Sequence, residues 1–367
     1  MREQRQLEAT EFICNNEFTI CYISPRFGKT KVVIDYLKEK QYNNILVVYP
    51  LISIKTSWLN EFEKWGFDKK KVKFTTTASL KNHIGKNYDV IVADEIQMFS
   101  LKQLQSLKFV LDKVSVKRCI GLTGTLTNKT EKEITEFTGL RVGFKYPLEQ
   151  AIEEGIVTDY RITVVMTNLD SKIPYIQPMK EKPSFRITEA QRYAYLTEKI
   201  EQIKAEFGNL GFLPVLRQAV FKKSIGKRDL TKKLIEKYKN ERLLIFCGVT
   251  DIADSLGVPV YHSKESDASI KDDFCTGKFN HLAVCKMLNA GVTVLPINKA
   301  IINAFDSNAE TLGQQLNRLT NFEYDNPNKV AEIYIVCTNT QAELKWLNSA
   351  LEFFEADKIT YKKFEEL

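Results

Sequence analysis

Short apolar runs with no polar face constrain this chain most. Ile45-Leu-Val-Val-Tyr49 and the interior of Asp89-Val-Ile-Val-Ala-Asp94 show no polar alternation, Phe18 to Ile23 and Cys119-Ile-Gly-Leu-Thr123 are strand-sized runs of similar make-up, and Val72 to Thr77 is a further expected strand. Such strands must be covered on both faces, as in a parallel sheet with helices above and below it. The stretches between them have helical spacing: Leu7, Ala9, Phe12 and Ile13, then Val32, Val33, Ile34 and Leu37, then Ile54, Trp58, Leu59, Phe62 and Trp65 closed by Gly66. Strand and helix in alternation predict right-handed βαβ units. Ligands of such sheets sit beyond the carboxyl ends of the strands. The loop at residues 24–30, Pro50, Asp94-Glu95 and Thr123-Gly124-Thr125 all stand at those ends, so one sheet edge is expected to collect them.

The first of these loops has the chemistry of a phosphate cradle. The run Phe18 to Ile23 feeds Ser24, Pro25, Arg26, Phe27 and Gly28, and a helix opens near Lys29 and Thr30. N–H groups at a helix N-terminus carry partial positive charge and bind phosphate oxygens. Lys29 can reach the β- and γ-phosphates of a nucleoside triphosphate such as ATP, and the Thr30 hydroxyl is placed to ligate Mg²⁺. The fit to G-x-x-x-x-G-K-[ST] is incomplete, because Ile23 stands where the first glycine belongs. Alone, the stretch also suits an ordinary loop-to-helix junction. Asp94-Glu95-Ile96-Gln97 supplies what it lacks: Asp94 to hold Mg²⁺ directly or through water, and Glu95 to take a proton from an attacking water. An acidic pair can equally cap a helix, but beside a phosphate loop the catalytic reading is the better one.

From Arg242 the alternation resumes, with strands expected at Leu243 to Phe246, Val258 to Tyr261, Leu282 to Cys285, Ala300 to Ala304 and Ile333 to Val336. Helices are expected at 249–256, 264–275 and 309–320, and an amphipathic one from Gln341 to Phe354. The boundary between two domains is expected after residue 157, giving domains 1–157 and 158–367, the second with a helical insertion at about 185–240. Residues 168–190, with Pro174, Pro178 and Pro183, form the best linker or insertion candidate. Lys222, Lys223, Lys227, Arg228, Lys232 and Lys233 read as a solvated helix surface in preference to a nucleic-acid patch. The chain has 367 residues and a net charge of +7, compatible with binding a phosphate backbone but not demanding it. Seven cysteines without any C-x-x-C pair, and three separated histidines, argue against zinc or a disulfide frame and for small core residues in a reducing compartment. The charged N-terminus predicts no signal peptide, and no apolar run is long enough for a membrane span.

In this order the motifs resemble those of superfamily 2 helicases and translocases over nearly the whole chain. Gln6 stands where that family often carries an adenine-reading glutamine. Ser24 to Thr30 looks like a shortened motif I, Val47 to Pro50 with Trp58-Leu-Asn-Glu-Phe-Glu-Lys-Trp65 like the Swi/Snf-type motif Ia, and Thr75-Thr-Thr-Ala-Ser79 like motif Ib. Asp94-Glu-Ile-Gln97 corresponds to the D-E-x-[HDQ] box of DEAD/DEAH-like members, and Leu122-Thr-Gly-Thr125 to motif III. Leu244-Ile-Phe-Cys247 resembles motif IV, Val284-Cys-Lys-Met-Leu-Asn-Ala-Gly-Val292 motif V, and Gln314-Gln-Leu-Asn-Arg318 motif VI.

The resemblance implies an α/β protein of two RecA-like domains, each a mostly parallel sheet with helices on both faces, with ATP and Mg²⁺ in the cleft between them. It implies catalytic roles for Lys29, Asp94, Glu95, Gln97 and Arg318, nucleotide contacts from Gln6, residues 24–30 and Gln314, and nucleic-acid contacts from Pro50, Thr76, Ser79, Thr123, Thr125, Cys247, Asn289 and Gly291. Short hydroxyl and amide groups of this kind touch phosphate and sugar without reading bases, as a stepping motor needs; turn and cap chemistry would use the same residues. The Swi/Snf-like segment favours DNA over RNA, with replication or recombination proteins as possible partners. A monomer in a bacterial or phage-infected cytoplasm completes the expectation.

The departures matter. Asn317 and Asn321 replace the glycine and final arginine usual in motif VI, and Thr293 replaces an aspartate after motif V. Arg318 is left as the candidate arginine finger. Two classes of function therefore stay open: an ATP-driven helicase or translocase, and a degenerate core that clamps nucleic acid under ATP control with little turnover. A small-molecule kinase shares the phosphate loop but leaves the second α/β half unexplained.

Overall fold

The computed structural model describes all residues except 25, 114–115, 178–183, 207, 263–268, 286–296, 306–311, 314, 316–328 and 353. The chain divides into two compact units: the first takes Met1–Asp159 together with the described residues of Gly313–Lys329, and the second takes the other described residues from Tyr160 onward. Each holds its own sheet.

In the first unit the order along the chain is α1 (Arg2–Asn15), β1 (Phe18–Ile23), α2 (Lys29–Lys40), β2 (Ile45–Tyr49), α3 (Ile52–Lys64), β3 (Val72–Thr76), β4 (Tyr88–Ala93), α4 (Leu101–Lys113), β5 (Val116–Thr123), α5 (Asn128–Thr138), β6 (Val142–Tyr146) and α6 (Leu148–Glu153). The strands pair in parallel in the order β3-β2-β4-β5-β1-β6. Successive side chains of a strand point to opposite faces, and both faces are filled. Cys21, Ile23, Val47, Val90, Val92, Ile120 and Leu122 join the buried faces of α1, α2 and α3, while Ile20, Leu46, Val48, Ile91, Ala93 and Cys119 join Leu104, Leu107 and Val110 of α4 and Ile134 of α5. The apolar runs are apolar throughout because neither face meets water.

Two details differ from the periodicity. Leu7 is exposed at 61%, and the inner face of α1 is Gln6, Ala9, Thr10, Ile13 and Cys14. Strand β6 escaped the pattern because Val142, Phe144 and Tyr146 alternate with Gly143 and Lys145 at the sheet edge, and only Tyr146 is fully buried.

The second unit contains β7 (Asp159–Thr167), α7 (Glu189–Ala205), α8 (Leu213–Lys222), α9 (Ile225–Lys237), β8 (Leu243–Cys247), α10 (Thr250–Asp254), β9 (Val260–Tyr261), α11 (Ser269–Cys275), β10 (His281–Cys285), β11 (Lys299–Ile302), β12 (Val330–Thr338), α12 (Gln341–Ala350) and β13 (Ile359–Lys362). Its sheet order is β13-β7-β12-β11-β8-β10-β9. Strands β7 and β13 were not legible in the sequence. β13 pairs only with β7 and buries little, and β7 carries Arg161 and Thr163 among its apolar residues.

The proline-bearing segment at 168–190 is not an interdomain linker, since the described residues on both sides of it belong to the second unit. An antiparallel bridge joins Ile176 and Ile187, and the buried Glu189 carboxylate accepts from the Asp170 N–H, the Tyr175 hydroxyl, the Ser224 hydroxyl and the Ile225 N–H.

Within the basic run Lys223, Lys232 and Lys233 are exposed, as a solvated surface requires, and Lys227 is the exception. It lies 1% exposed, its Nζ 2.6 Å from Oε1 of a Glu343 that is 2% exposed. The other Glu343 oxygen accepts from the N–H and hydroxyl of Thr338, so the pair is tied to the end of β12. Six of the seven cysteines are buried, as core residues should be, and none is in a disulfide. No helix among the described residues is long and apolar enough to cross a membrane.

A buried charge left without its partner typically costs about 3–5 kcal/mol. Lys227→Met should therefore destabilise the chain by that amount in urea titration, and adding Glu343→Gln should recover part of the loss. An unchanged midpoint in the single variant would show that the pair is hydrated.

Candidate functional site

The parallel sheet of the first unit brings the predicted groups to its carboxyl edge. Ser24 follows β1, Pro50 follows β2, Thr76 ends β3, Asp94 follows β4 and Thr123 ends β5. Register fixes their levels: Tyr22 is level with Thr123, and Val48 with Ala93. Asp94 is held at its height by its own N–H donating to the Val48 carbonyl at 2.9 Å.

The loop between β1 and α2 has positive φ at Arg26 (65°) and Gly28 (102°). Gly28 caps α2, and a Cβ there would lie 2.6 Å from Nε2 of Gln6. That nitrogen donates to the Phe27 carbonyl at 2.6 Å, and the Arg2 guanidinium donates to the carbonyls of both Phe27 and Arg26. Gln6, expected to read adenine, thus braces the loop with its amide nitrogen. Arg2 was missed by the sequence reading, because nothing in a charged first helical turn marks a side chain that grips a loop. Burial, and then the Arg2 charge, make Arg26 a weaker base than usual. Gly28→Ala should lose about 1–3 kcal/mol of stability in denaturant titration, the range for a strained backbone position. An unaffected variant would mean that the loop relaxes freely.

Across the strand edge, Lys29 Nζ lies 3.3 Å from Glu95 Oε1, and Gln97 donates to Glu95 Oε2 at 2.6 Å. Glu95 has φ 49° and ψ 48°, a left-handed conformation costly for a residue with a Cβ, so the surrounding packing must hold it there. Asp94 is 7% exposed. Its Oδ1 accepts the Glu95 N–H at 2.9 Å and its Oδ2 accepts the indole N–H of Trp58 at 2.7 Å. Burial first, and then the neighbouring Glu95 charge, push its carboxyl up to about 6 from the ordinary 3.8, while Lys29 and the Trp58 donor pull the other way.

The residues fit a divalent cation of the Mg²⁺ type. Two carboxylates adjoin one another, one of them short of compensating positive charge, and the half-buried Thr30 hydroxyl opens α2. No group of three or more His, Cys, Asp or Glu side chains capable of holding a metal occurs among the described residues. Mg²⁺ suits such a sparse donor set, since it is commonly held by one or two protein oxygens plus phosphates and water. Three buried polar atoms at this edge have no hydrogen-bond partner among the described residues: Ser24 Oγ, Gln97 Oε1 and Thr125 Oγ1. Native proteins seldom leave buried polar groups unpaired without a reason such as an unseen ligand or water.

Other predicted residues are placed less openly. Thr123 Oγ1 is spent on its own turn, donating to the Thr125 carbonyl at 2.5 Å, and Thr76 Oγ1 reaches Ser79 Oγ at 3.3 Å. Cys247 sits in the second unit, buried, directly opposite Cys285 in register. Its thiol is pushed well above its ordinary range by the side-chain hydrogen bond with Cys285 and by burial. Pro25, Asn289, Gly291, Gln314 and Arg318 lie outside the described residues.

Comparison with solved structures identifies the architecture. S. cerevisiae Dbp5 bound to RNA and ADP BeF3 superposes with a TM-score of 0.62 at 10% identity, covering 98% of this chain and 89% of that one. A chain described as a fragment of an HsdR subunit of a type I restriction enzyme from Vibrio vulnificus matches with a TM-score of 0.62 at 15% identity, covering 98% of this chain and 67% of that one. The chain shares the two-sheet α/β fold of these structures. The Pyrococcus furiosus Hef helicase domain agrees, with a TM-score of 0.50 at 12% identity over 95% of this chain and 97% of that domain. No protein-family model matches the chain, and no curated protein matches it by sequence. At these identities the helicase-core likeness speaks for the fold, and the chemistry must be argued from the residues.

The raised Asp94 carboxyl has a definite consequence for stability. Between pH 3.8 and about 6 the folded chain keeps a proton that the unfolded chain releases, so this contribution is fully present below 3.8 and is lost as pH rises through 6. The difference corresponds to about 3 kcal/mol. In metal-free buffer, the stability of Asp94→Asn minus that of the wild type should rise by roughly that amount from pH 4 to 6 and then level off. A difference independent of pH would show an ordinary carboxyl.

Proposed function

We propose that the chain is an ATP-dependent helicase or translocase of nucleic acid that hydrolyses ATP at the Lys29–Glu95 site, with DNA favoured as its track. One observation carries this reading: Lys29, Glu95, Gln97 and Asp94 form a single partly buried network beside a phosphate-type loop, with unpartnered polar atoms of Ser24, Gln97 and Thr125 at the same strand edge. The helicase-core fold supports it, as does the RNA and nucleotide analogue bound by Dbp5 in the similar structure.

In the proposed mechanism a triphosphate competes with Glu95 for the Lys29 ammonium. The loop N–H groups and the N-terminus of α2 bind the phosphate oxygens, because their partial positive charge faces that edge. Glu95, released from Lys29 but still fixed by Gln97, accepts the proton of the attacking water. Thr30 and Asp94 would hold Mg²⁺, which when bound supplies charge neutralisation for the phosphates. Arg318 is the proposed cationic finger, and Gln314 a further nucleotide contact. Pro50, Thr76, Ser79, Thr125, Asn289 and Gly291 are proposed to follow the nucleic-acid backbone.

Steady-state ATPase rates with single-stranded DNA, duplex DNA, forked or four-way DNA and RNA test this directly. Turnover should rise with at least one of them. Lys29→Ala and Glu95→Gln should each lower it by about 10²–10⁴-fold, and Arg318→Ala by up to about 10³–10⁵-fold with ATP binding retained. Nucleotide binding with background turnover on every nucleic acid would replace the motor by the ATP-gated clamp, the reading that Asn321 and Thr293 favour.

A further inference from the structure

Asp94 has one donor that local geometry does not explain. The Glu95 N–H on Oδ1 comes with any turn of this shape, but the Oδ2 partner is Trp58, on another helix. Trp58 is 1% exposed, and its indole N–H is the only polar group it owns. Buried indoles find some acceptor; this one takes the carboxylate that the proposed chemistry needs in a single orientation. Two donors on opposite oxygens restrict rotation of the carboxylate plane. With the Glu95 N–H alone it could swing.

Trp58 also belongs to a continuous aromatic cluster. Its ring centroid lies 5.5 Å from Phe62, Phe62 lies 6.1 Å from Phe74, and Phe74 lies 6.2 Å from Tyr49. Tyr49 ends β2 immediately before Pro50, and Phe74 lies in β3 just before Thr76. The side chain that donates to the carboxylate at the proposed ATP site is thus linked, through Phe62 and then Phe74 and Tyr49, to the strands that carry the proposed nucleic-acid contacts. We propose that Trp58 is a positioning residue: it orients Asp94 and joins it mechanically to the ends of β2 and β3. Nucleic acid pressing on Pro50 or Thr76 would then be felt at Asp94 through a packed path. This rests on the ATPase reading above.

The test replaces the donor and keeps the packing. Trp58→Phe, and the near-isosteric replacement of Trp58 by β-(3-benzothienyl)alanine, which has sulfur in place of the N–H, are compared with the wild type after circular dichroism establishes that each is folded. Loss of a group that orients a metal-holding side chain typically costs about 10–100-fold in metal affinity or activity. Both variants should therefore need about 10-fold more Mg²⁺ for half-maximal binding of a fluorescent ATP analogue, a readout independent of turnover. Their nucleic-acid-stimulated kcat should fall about 10–100-fold, with KM for ATP at saturating Mg²⁺ nearly unchanged. If the benzothienyl variant matches the wild type in Mg²⁺ dependence and kcat, the N–H has no positioning role and the proposal is overturned. If the wild type itself fails to bind the analogue, the ATPase reading falls and takes this inference with it. The two failures are thus distinguishable.

Discussion

Burial of the first unit's strands on both faces is the constraint on which the rest depends. A parallel sheet covered by α1, α2 and α3 on one side and α4 and α5 on the other leaves polar groups nowhere to go but the strand ends. Because the strands all run parallel, their carboxyl ends lie at one edge. Ser24, Pro50, Thr76, Asp94 and Thr123 converge there because the core excludes them, before any chemistry is asked of them. Removing the helices from either face would expose the runs that make the edge possible.

The price of this arrangement is electrostatic. Asp94 emerges from the sheet at a depth where its charge is poorly solvated, and Glu95 places a second carboxylate next to it. Lys29 answers Glu95, while Trp58 and the Glu95 N–H answer Asp94, and the carboxyl still stands well above its ordinary range. The proposed nucleotide site rests on these features: adjacent carboxylates, a cation at the start of a helix and polar atoms with no partner among the described residues. Strain at Glu95 and in the loop before α2 belongs to the same design, since the left-handed non-glycine positions among the described residues include Arg26 and Glu95 of this site. Stability is given up where binding can restore it.

Much of this was legible beforehand, for identifiable reasons. Strands with uninterrupted apolar runs were readable because two-faced burial leaves no ambiguity of pattern. Strands β6, β7 and β13 were not, since edge or half-solvated strands mix polar residues at positions that periodicity cannot separate from loop. Lys227 read as surface because charge is normally solvated; only its pairing with Glu343, distant in the chain, makes burial tolerable. Gln6 reads as a nucleotide contact, and its amide nitrogen also supports the loop, a use that depends on α1 lying across Phe27.

The sequence by itself determined the covalent order of strand, phosphate loop and acidic box, hence a parallel α/β fold with its polar residues at strand ends. Hydrophobic periodicity and turn chemistry act over a few residues and can be read locally. The tertiary structure alone decided which of those polar groups meet. Lys29 with Glu95, Trp58 with Asp94 and Arg2 with the phosphate loop are contacts between segments far apart in the chain, set by strand order and helix packing. Nothing local encodes them, because the energy that makes them comes from burying other residues.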